Sequence, residues 1–310
     1  MNTQSNAMSG SSLESNAIAP AIISATQPLY WSMRRELWEN RSIYVAPLAV
    51  AGLILFGFLI STFHLPAMVR AASALDPMQQ RELIQQPFDF AALLLMGTML
   101  IVGVFYCLDA LHGERRDRSI LFWKSLPVSD LTTVLSKASI PIVVLPLITF
   151  AITIATQWIM LLISSAVLLG SGLSVAALWQ LPWFQMSAGL LFHLLAVHGF
   201  YYAPIYGWLL LVSGWARRAV FVWAGLPLVA IGVVEKLAFN TSHFGAMLLS
   251  RFGGGAETAP FPMPREGAMP PLTHFAPLHF LISPGLWIGL VFCAACLAAA
   301  VRLRRYQGPI

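Results

Sequence analysis

Charge is what this sequence has least of. Asp, Glu, Lys and Arg make up 10% of its 310 residues, against about 25% in a soluble domain. A surface facing water cannot be covered with so few, so a soluble globular fold is excluded. Lysine occurs only at Lys124, Lys137 and Lys236, and none follows a glycine. A phosphate-binding loop of the GxxxxGK[ST] type is therefore absent. No G-x-S-x-G or H-E-x-x-H is present either, which removes the commonest hydrolase and zinc-protease signatures. Cysteine is rare: Cys107, Cys293 and Cys296 all lie in apolar runs, where a thiol acts as a small hydrophobe.

Hydrophobic residues, by contrast, make up 58% of the chain. They fall into runs of roughly 20 residues, the length that crosses about 30 Å of hydrocarbon as a helix. The runs are too continuous for barrel strands, and helices satisfy the backbone in lipid. The expected fold is an all-α polytopic membrane protein with six transmembrane helices, near 43–63, 90–110, 140–162, 186–212, 219–237 and 284–301. The third run continues to Gly170, so tilt or a turn beyond the membrane is expected there. Pro204 is positioned to kink the fourth span.

Of the eighteen Lys and Arg residues, only Arg70, Arg81, Lys236, Arg251 and Arg265 fall outside if the N-terminus is inside. This bias predicts that both termini are cytoplasmic, in a cell inner membrane. The basic pI near 9.4 follows from these scattered anchors, so no nucleic-acid partner is expected. Residues 1–27 lack a basic start and a sustained apolar core, and read as a disordered cytoplasmic tail rather than a signal peptide. The transmembrane domain is residues 28–310.

The segment "PLYWSMRRELWENRS" (28–42) reads as a short amphipathic helix on the inner membrane surface, with lipid as its partner. Tyr30, Trp31, Met33, Leu37 and Trp38 share one side of a helical wheel. Ser32, Arg35, Glu36 and Glu39 share the other, and Arg34 and Arg41 fall in the apolar arc, where they must snorkel or pair. On the outer side, residues 240–283 include "GGGAETAPFPMPREGAMPP", too rich in Gly and Pro for a long helix. His193 and His198, five apart in the fourth span, should lie on different helix faces, and no metal site is expected.

The segment "LDALHGERRDRSILFWKSLPVSDLTTVLSKA" (108–138) interrupts the apolar runs. Gly113 breaks or bends the helix leaving the second span. Glu114, Arg115, Arg116, Asp117 and Arg118 then fill about one and a half turns. Behind them Ile120, Leu121, Phe122, Trp123 and Leu126 point in nearly every direction around a helix axis. That suits burial on several sides, as between a bilayer and a cytoplasmic protein. Pro127 ends the helix, and Ser129 or Asp130 caps the next, which passes Lys137 into the third span. A solvated charge cluster that only enforces topology would leave "ILFW" unexplained.

The same stretch resembles the loop between spans two and three of ABC-2-type permeases, the membrane subunits of many ABC exporters. The resemblance rests on Glu114, Arg115, Arg116, Asp117, Ser119, Leu121, Pro127, Val128, Ser129 and Lys137. It departs at Arg118, where that family frequently has glycine, and at Ser136. The helix before span one, the six spans and the ending "SPGLWIGLVFCAACLAAAVRLRRY" are similar in order. The resemblance implies a dimeric permease, homodimer or heterodimer, carrying two separate ABC ATPase subunits that bind the ATP and Mg, with no cofactor and no catalytic residue in this chain. Residues 114–126 would be the coupling helix: Glu114, Arg115 and Arg116 would meet the ATPase, and Phe122 and Trp123 would fill its groove. Two other readings stay open, a non-transporting membrane anchor or regulator of a cytoplasmic partner, and a secondary transporter or channel.

Overall fold

The computed structural model describes residues 26–125, 128–253, 283–308 and 310; among these the chain is helical throughout, without a strand. The expected polar tail lies almost wholly outside the described residues, as do Leu126, Pro127 and the Gly/Pro-rich stretch before the last span.

Helix α1 (Thr26–Glu39) is followed after Asn40 and Arg41 by α2 (Ser42–Ser61), α3 (Leu65–Ala72) and α4 (Pro77–Ala110). Two short helices, α5 (His112–Arg116) and α6 (Ser119–Ser125), form the interruption. Next, α7 (Asp130–Ser139) runs through a π-helical turn, Ile140–Val144, into α8 (Leu145–Gly170). Then come α9 (Ala176–Trp179), α10 (Trp183–Phe192), a second π-helical segment at His193–Tyr201, and α11 (Ala203–Trp215). The described helices end with α12 (Val220–Phe239), α13 (His243–Gly253) and α14 (Pro284–Tyr306).

Five helical stretches are long and apolar enough to cross a membrane: Ser42–Ser61, Pro77–Arg116, Asp130–Gly170, Val220–Phe239 and Pro284–Tyr306. Trp183–Tyr201 and Ala203–Trp215, which meet at 46° beside Pro204, make a sixth when counted together as one broken span. The transmembrane, helical character of the chain follows. Two helices are longer than their apolar cores. The second starts at Pro77, well before residue 90, because "PMQQRELIQQ" is polar yet rich in good helix formers, and Pro77 at the first helical position gives up an N–H that would be orphaned anyway. Polarity marks where a membrane stops, not where a helix starts. The third is a 41-residue stretch, about 60 Å of helix.

The α2, α4 and α8 helices pack together, and α11 lies between α4 and α14. The α11–α14 approach is close because residue 207 is glycine: a Cβ there would lie 3.0 Å from Cys293 Sγ. Helix α8 is polar on its inner side. Thr149, Thr153, Thr156, Gln157 and Ser164 are buried, while Leu147, Trp158 and Leu162 face outward. Helix α12 buries only Ala224 and exposes large apolar side chains along its length, an arrangement that suits lipid and not water.

Both π segments have local causes. Pro141 and Pro146 remove backbone donors from the helix around Ile140–Val144, and the widened turn absorbs the loss. The segment at His193–Tyr201 packs on the first one. A Cβ at Gly199 would stand 2.5 Å from the Ile142 carbonyl oxygen, so only glycine allows this contact.

Candidate functional site

At one end of the bundle, side chains from α1, α5, α7 and α14 meet in a buried charged hub. Glu36 of α1 accepts from Lys137 Nζ at 2.7 Å, from Arg35 at 2.7 Å and from the Tyr106 hydroxyl at 2.9 Å. Glu114 of α5 faces Lys137 Nζ at 3.1 Å and Arg35 at 3.1 Å, and also pairs with Arg304 of α14. Arg304 in turn reaches Asp130 at 3.1 Å. Three cations (Arg35, Lys137, Arg304) thus meet three carboxylates (Glu36, Glu114, Asp130), with the more exposed Glu39 also 3.6 Å from Arg35. Glu36 is 0% exposed and Lys137 2%. Buried charges are tolerated when paired and hydrogen-bonded, as Glu36, Lys137, Glu114 and Arg304 are.

The helices bring the hub together for local reasons. Ser129 caps α7, its Oγ accepting from the Thr132 amide at 3.0 Å, and this places Lys137 two turns on, pointing into the bundle. Asp130 in the first turn of α7 and Arg304 in the last turn of α14 complement the helix dipoles as they pair. The start of the interruption is pinned to α11. Ser213 Oγ accepts from the Leu111 and His112 amides at 3.1 and 2.9 Å, and the buried Arg115 guanidinium donates to the Gly214 carbonyl. The C-terminal residues lie alongside: the Ile310 amide donates to the Arg115 carbonyl at 3.3 Å, and Lys124 Nζ to the Gln307 carbonyl at 3.1 Å.

The structure separates the sequence-predicted residues into two sets. Glu114, Arg115 and Ile120 are buried inside the chain, and Trp123 is half-buried with its ring 3.8 Å from the Arg35 guanidinium carbon. Their side chains are committed to internal partners. Arg116, Asp117, Arg118, Leu121 and Phe122 face outward, Leu121 and Phe122 each 59% exposed. Leu126 and Pro127 lie outside the described residues. The expected single helix over 114–126 is two helices, broken at Arg118, whose φ of 58° is left-handed. This region favours glycine. The inner-surface helix is also turned differently from a simple water-facing amphipath. Tyr30, Trp31 and Trp38 are exposed, Leu37 is half-buried, and the polar side with Arg35 and Glu36 faces the hub instead of solvent.

No known family, curated protein or solved structure matches this chain. The hub therefore has to be read from its own chemistry. Burial alone would push the Glu36 carboxyl up, but the Lys137 ammonium and the Arg35 guanidinium outweigh burial and hold it below the ordinary carboxylate value. Burial would likewise lower Arg35, and Glu36 beside it raises it instead. Both groups stay ionised at neutral pH. The hub's ion pairs join α1, α5, α7 and α14.

Sequence reasoning missed Glu36, Tyr106, Asp130 and Arg304 as partners. A helical wheel puts Glu36 on a polar face but does not say whether that face meets protein or solvent. Lys137 carried a visible signal, as one of three lysines in the chain at the mouth of an apolar run. The expectation for His193 and His198 is corrected. Their ring centroids are 5.0 Å apart, on one side, because the segment is π-helical and its i→i+5 bonding stacks residues five apart.

Proposed function

We propose that this chain is the membrane subunit of an ATP-driven exporter of the ABC-2 permease type, in a cell inner membrane with both termini cytoplasmic. A separate ATPase subunit seats on α6, and a second permease chain completes the transporter. One observation carries the reading: Leu121 and Phe122 are exposed on a short helix at the charged end, while the residues on either side bolt that helix to the hub. An exposed apolar pair rimmed by Arg116, Asp117, Arg118 and Lys124 has the anatomy of a small protein interface, apolar at its centre and polar around it. Force applied there reaches α4 through α5, α8 through Lys137 and α7, and α14 through Arg304. ATP and Mg belong to the partner, since this chain carries no phosphate-binding loop. The roles expected for Glu114, Arg115 and Trp123 change accordingly: they transmit, and Leu121 and Phe122 make the contact.

The test is purification of the tagged chain from its native membranes in mild detergent, with bound proteins identified by mass spectrometry. A stoichiometric ATPase with a Walker motif is expected, and Leu121→Ala with Phe122→Ala should release it while the permease remains folded. A folded preparation that carries no ATPase across several detergents would overturn the proposal and favour an anchor for some other cytoplasmic protein.

A further inference from the structure

Helix α1 uses its polar side inside the protein, which leaves an unusual outer side. Arg35 and Glu36 point into the hub. On the opposite side Trp31 and Trp38 are 59% and 70% exposed. Between them lies Arg34, its guanidinium carbon 5.3 Å from the Trp31 ring and 5.1 Å from the Trp38 ring. Tyr30 extends the surface, edge-on to Trp31 at 5.5 Å.

Two aromatic faces fix the guanidinium by cation–π attraction and leave its N–H edges open. No carboxylate or carbonyl among the described residues pairs with Arg34, nor with the exposed Arg41 just beyond the helix. The exposed acid on α1, Glu39, lies 3.6 Å from Arg35 and belongs to that pair. Arg34 and Arg41 are therefore two exposed positive charges without an ion-pair partner among the described residues, no more than five residues from Glu36, and Arg34 sits in an aromatic setting.

Chain connectivity sets the depth of this surface. The apolar α2 begins at Ser42, directly after Arg41, and exposes Val45 and Leu48 in its first turns. Helix α1 must lie where the hydrocarbon ends, at the level where Trp and Tyr rings concentrate and where lipid phosphates sit. We infer that Trp31, Arg34, Trp38 and Arg41 form a binding site for the headgroup of an anionic phospholipid. The phosphate takes the N–H edges of Arg34, and the net negative charge of the lipid offsets Arg34 and Arg41 together. A choline headgroup fits poorly, because it brings its own cation and Arg34 already covers the ring faces that would hold it. The inference needs a bilayer but no ATPase, so it stands or falls separately from the proposed exporter role.

The experiment is native mass spectrometry of the full chain in mild detergent with equal amounts of phosphatidylglycerol and phosphatidylcholine carrying the same acyl chains. The wild type is expected to retain phosphatidylglycerol preferentially. Arg34→Gln with Arg41→Gln should weaken that retention by roughly fivefold per cation removed, the effect of a basic residue at an anionic membrane surface. Arg302→Gln with Arg305→Gln removes the same charge from exposed positions at the same end of the bundle and should leave the preference in place. Arg34→Lys, which keeps the charge but loses the flat guanidinium between the rings, should fall between wild type and the Gln variant. Melting temperatures confirm that each variant is folded. An unchanged preference in Arg34→Gln with Arg41→Gln, or equal loss in the α14 variant, would overturn the site and leave only a diffuse charge effect.

Discussion

Lys137 Nζ lies 2.7 Å from Glu36 Oε1, across 101 residues of sequence, with both side chains closed off from solvent. This contact joins the helix before the first span to the helix that enters the third. Removing one partner leaves the other buried and uncompensated, which costs about 3–5 kcal/mol for a buried pair. Glu36→Ala and Lys137→Ala should each lower the melting temperature in detergent strongly. Glu36→Leu combined with Lys137→Met should lie closer to wild type than either single variant. A double variant as unstable as the sum of the two would show that the pair is not coupled.

The same pair predicts a pH dependence. Lys137 and Arg35 hold the folded-state pKa of Glu36 below its ordinary value of 4.5. A depressed carboxylate contributes stability that is fully present above the unfolded pKa and is lost as pH falls through the folded one. The stability gap between wild type and Glu36→Gln should therefore stay constant from neutral pH down to about 5 and narrow only below 4.5. Thermal unfolding across that range checks it; a gap that closes between pH 6 and 7 would contradict the assignment.

Gly199 is the contact point of the two π-helical segments. With the Ile142 carbonyl oxygen 2.5 Å from an added Cβ, Gly199→Ala must push backbone away from backbone. Overpacking of this kind costs about 1–3 kcal/mol. By contrast Gly225→Ala, on the lipid-facing α12 with open space around it, should be neutral or slightly stabilising through helix propensity. Melting temperatures of the two variants, compared side by side, distinguish a packing role from a general effect of glycine.

Phe122 and Trp123 are neighbours with ring centroids 4.9 Å apart, but Phe122 is exposed while Trp123 is covered by Arg35. Phe122→Ala should leave stability within about 0.5 kcal/mol of wild type, as for an exposed side chain, and, with the proposed ATPase seated on α6, weaken its retention. Trp123→Ala uncovers Arg35 and should cost about 1 kcal/mol of cation–π interaction before any effect on a partner. Equal destabilisation by both would mean that Phe122 is packed rather than presented.

Arg118 occupies a left-handed conformation between α5 and α6. Arg118→Gly should be tolerated without loss of stability, since glycine relieves strain of about 1 kcal/mol and gives back a similar amount in chain entropy. Arg118→Val should lower the melting temperature, because a β-branched residue resists positive φ. If valine were accepted as readily as glycine, the break between the two helices would lie elsewhere.

The apolar runs and the sparse charge suffice to establish a helical chain with helices long and apolar enough to cross a membrane at five of the expected places, and Pro204 marks the bend at the sixth. Ser129 announced its cap through the adjacent turn chemistry. Other features could not be read along the chain. Helix α4 begins at Pro77 because helix propensity extends beyond the hydrophobic core that locates a membrane. The break at Arg118 needs a backbone angle that an arginine does not advertise. His193 and His198 came together because a π-helix changes the period on which face assignments depend.

Composition and periodicity by themselves determined that this protein is made of helices suited to lipid, and where charge gathers between them. Those properties are local: 20 apolar residues need a bilayer wherever they occur. Only the tertiary structure decided which charges face each other. Glu36, Glu114, Lys137 and Arg304 could each have been a solvated anchor, and each is instead buried against the others. The physical reason is that burying a charge is favourable only when a partner from elsewhere in the chain arrives with matching sign and geometry. That choice turned Arg35 and Trp123 inward and left Arg34, Leu121 and Phe122 outward.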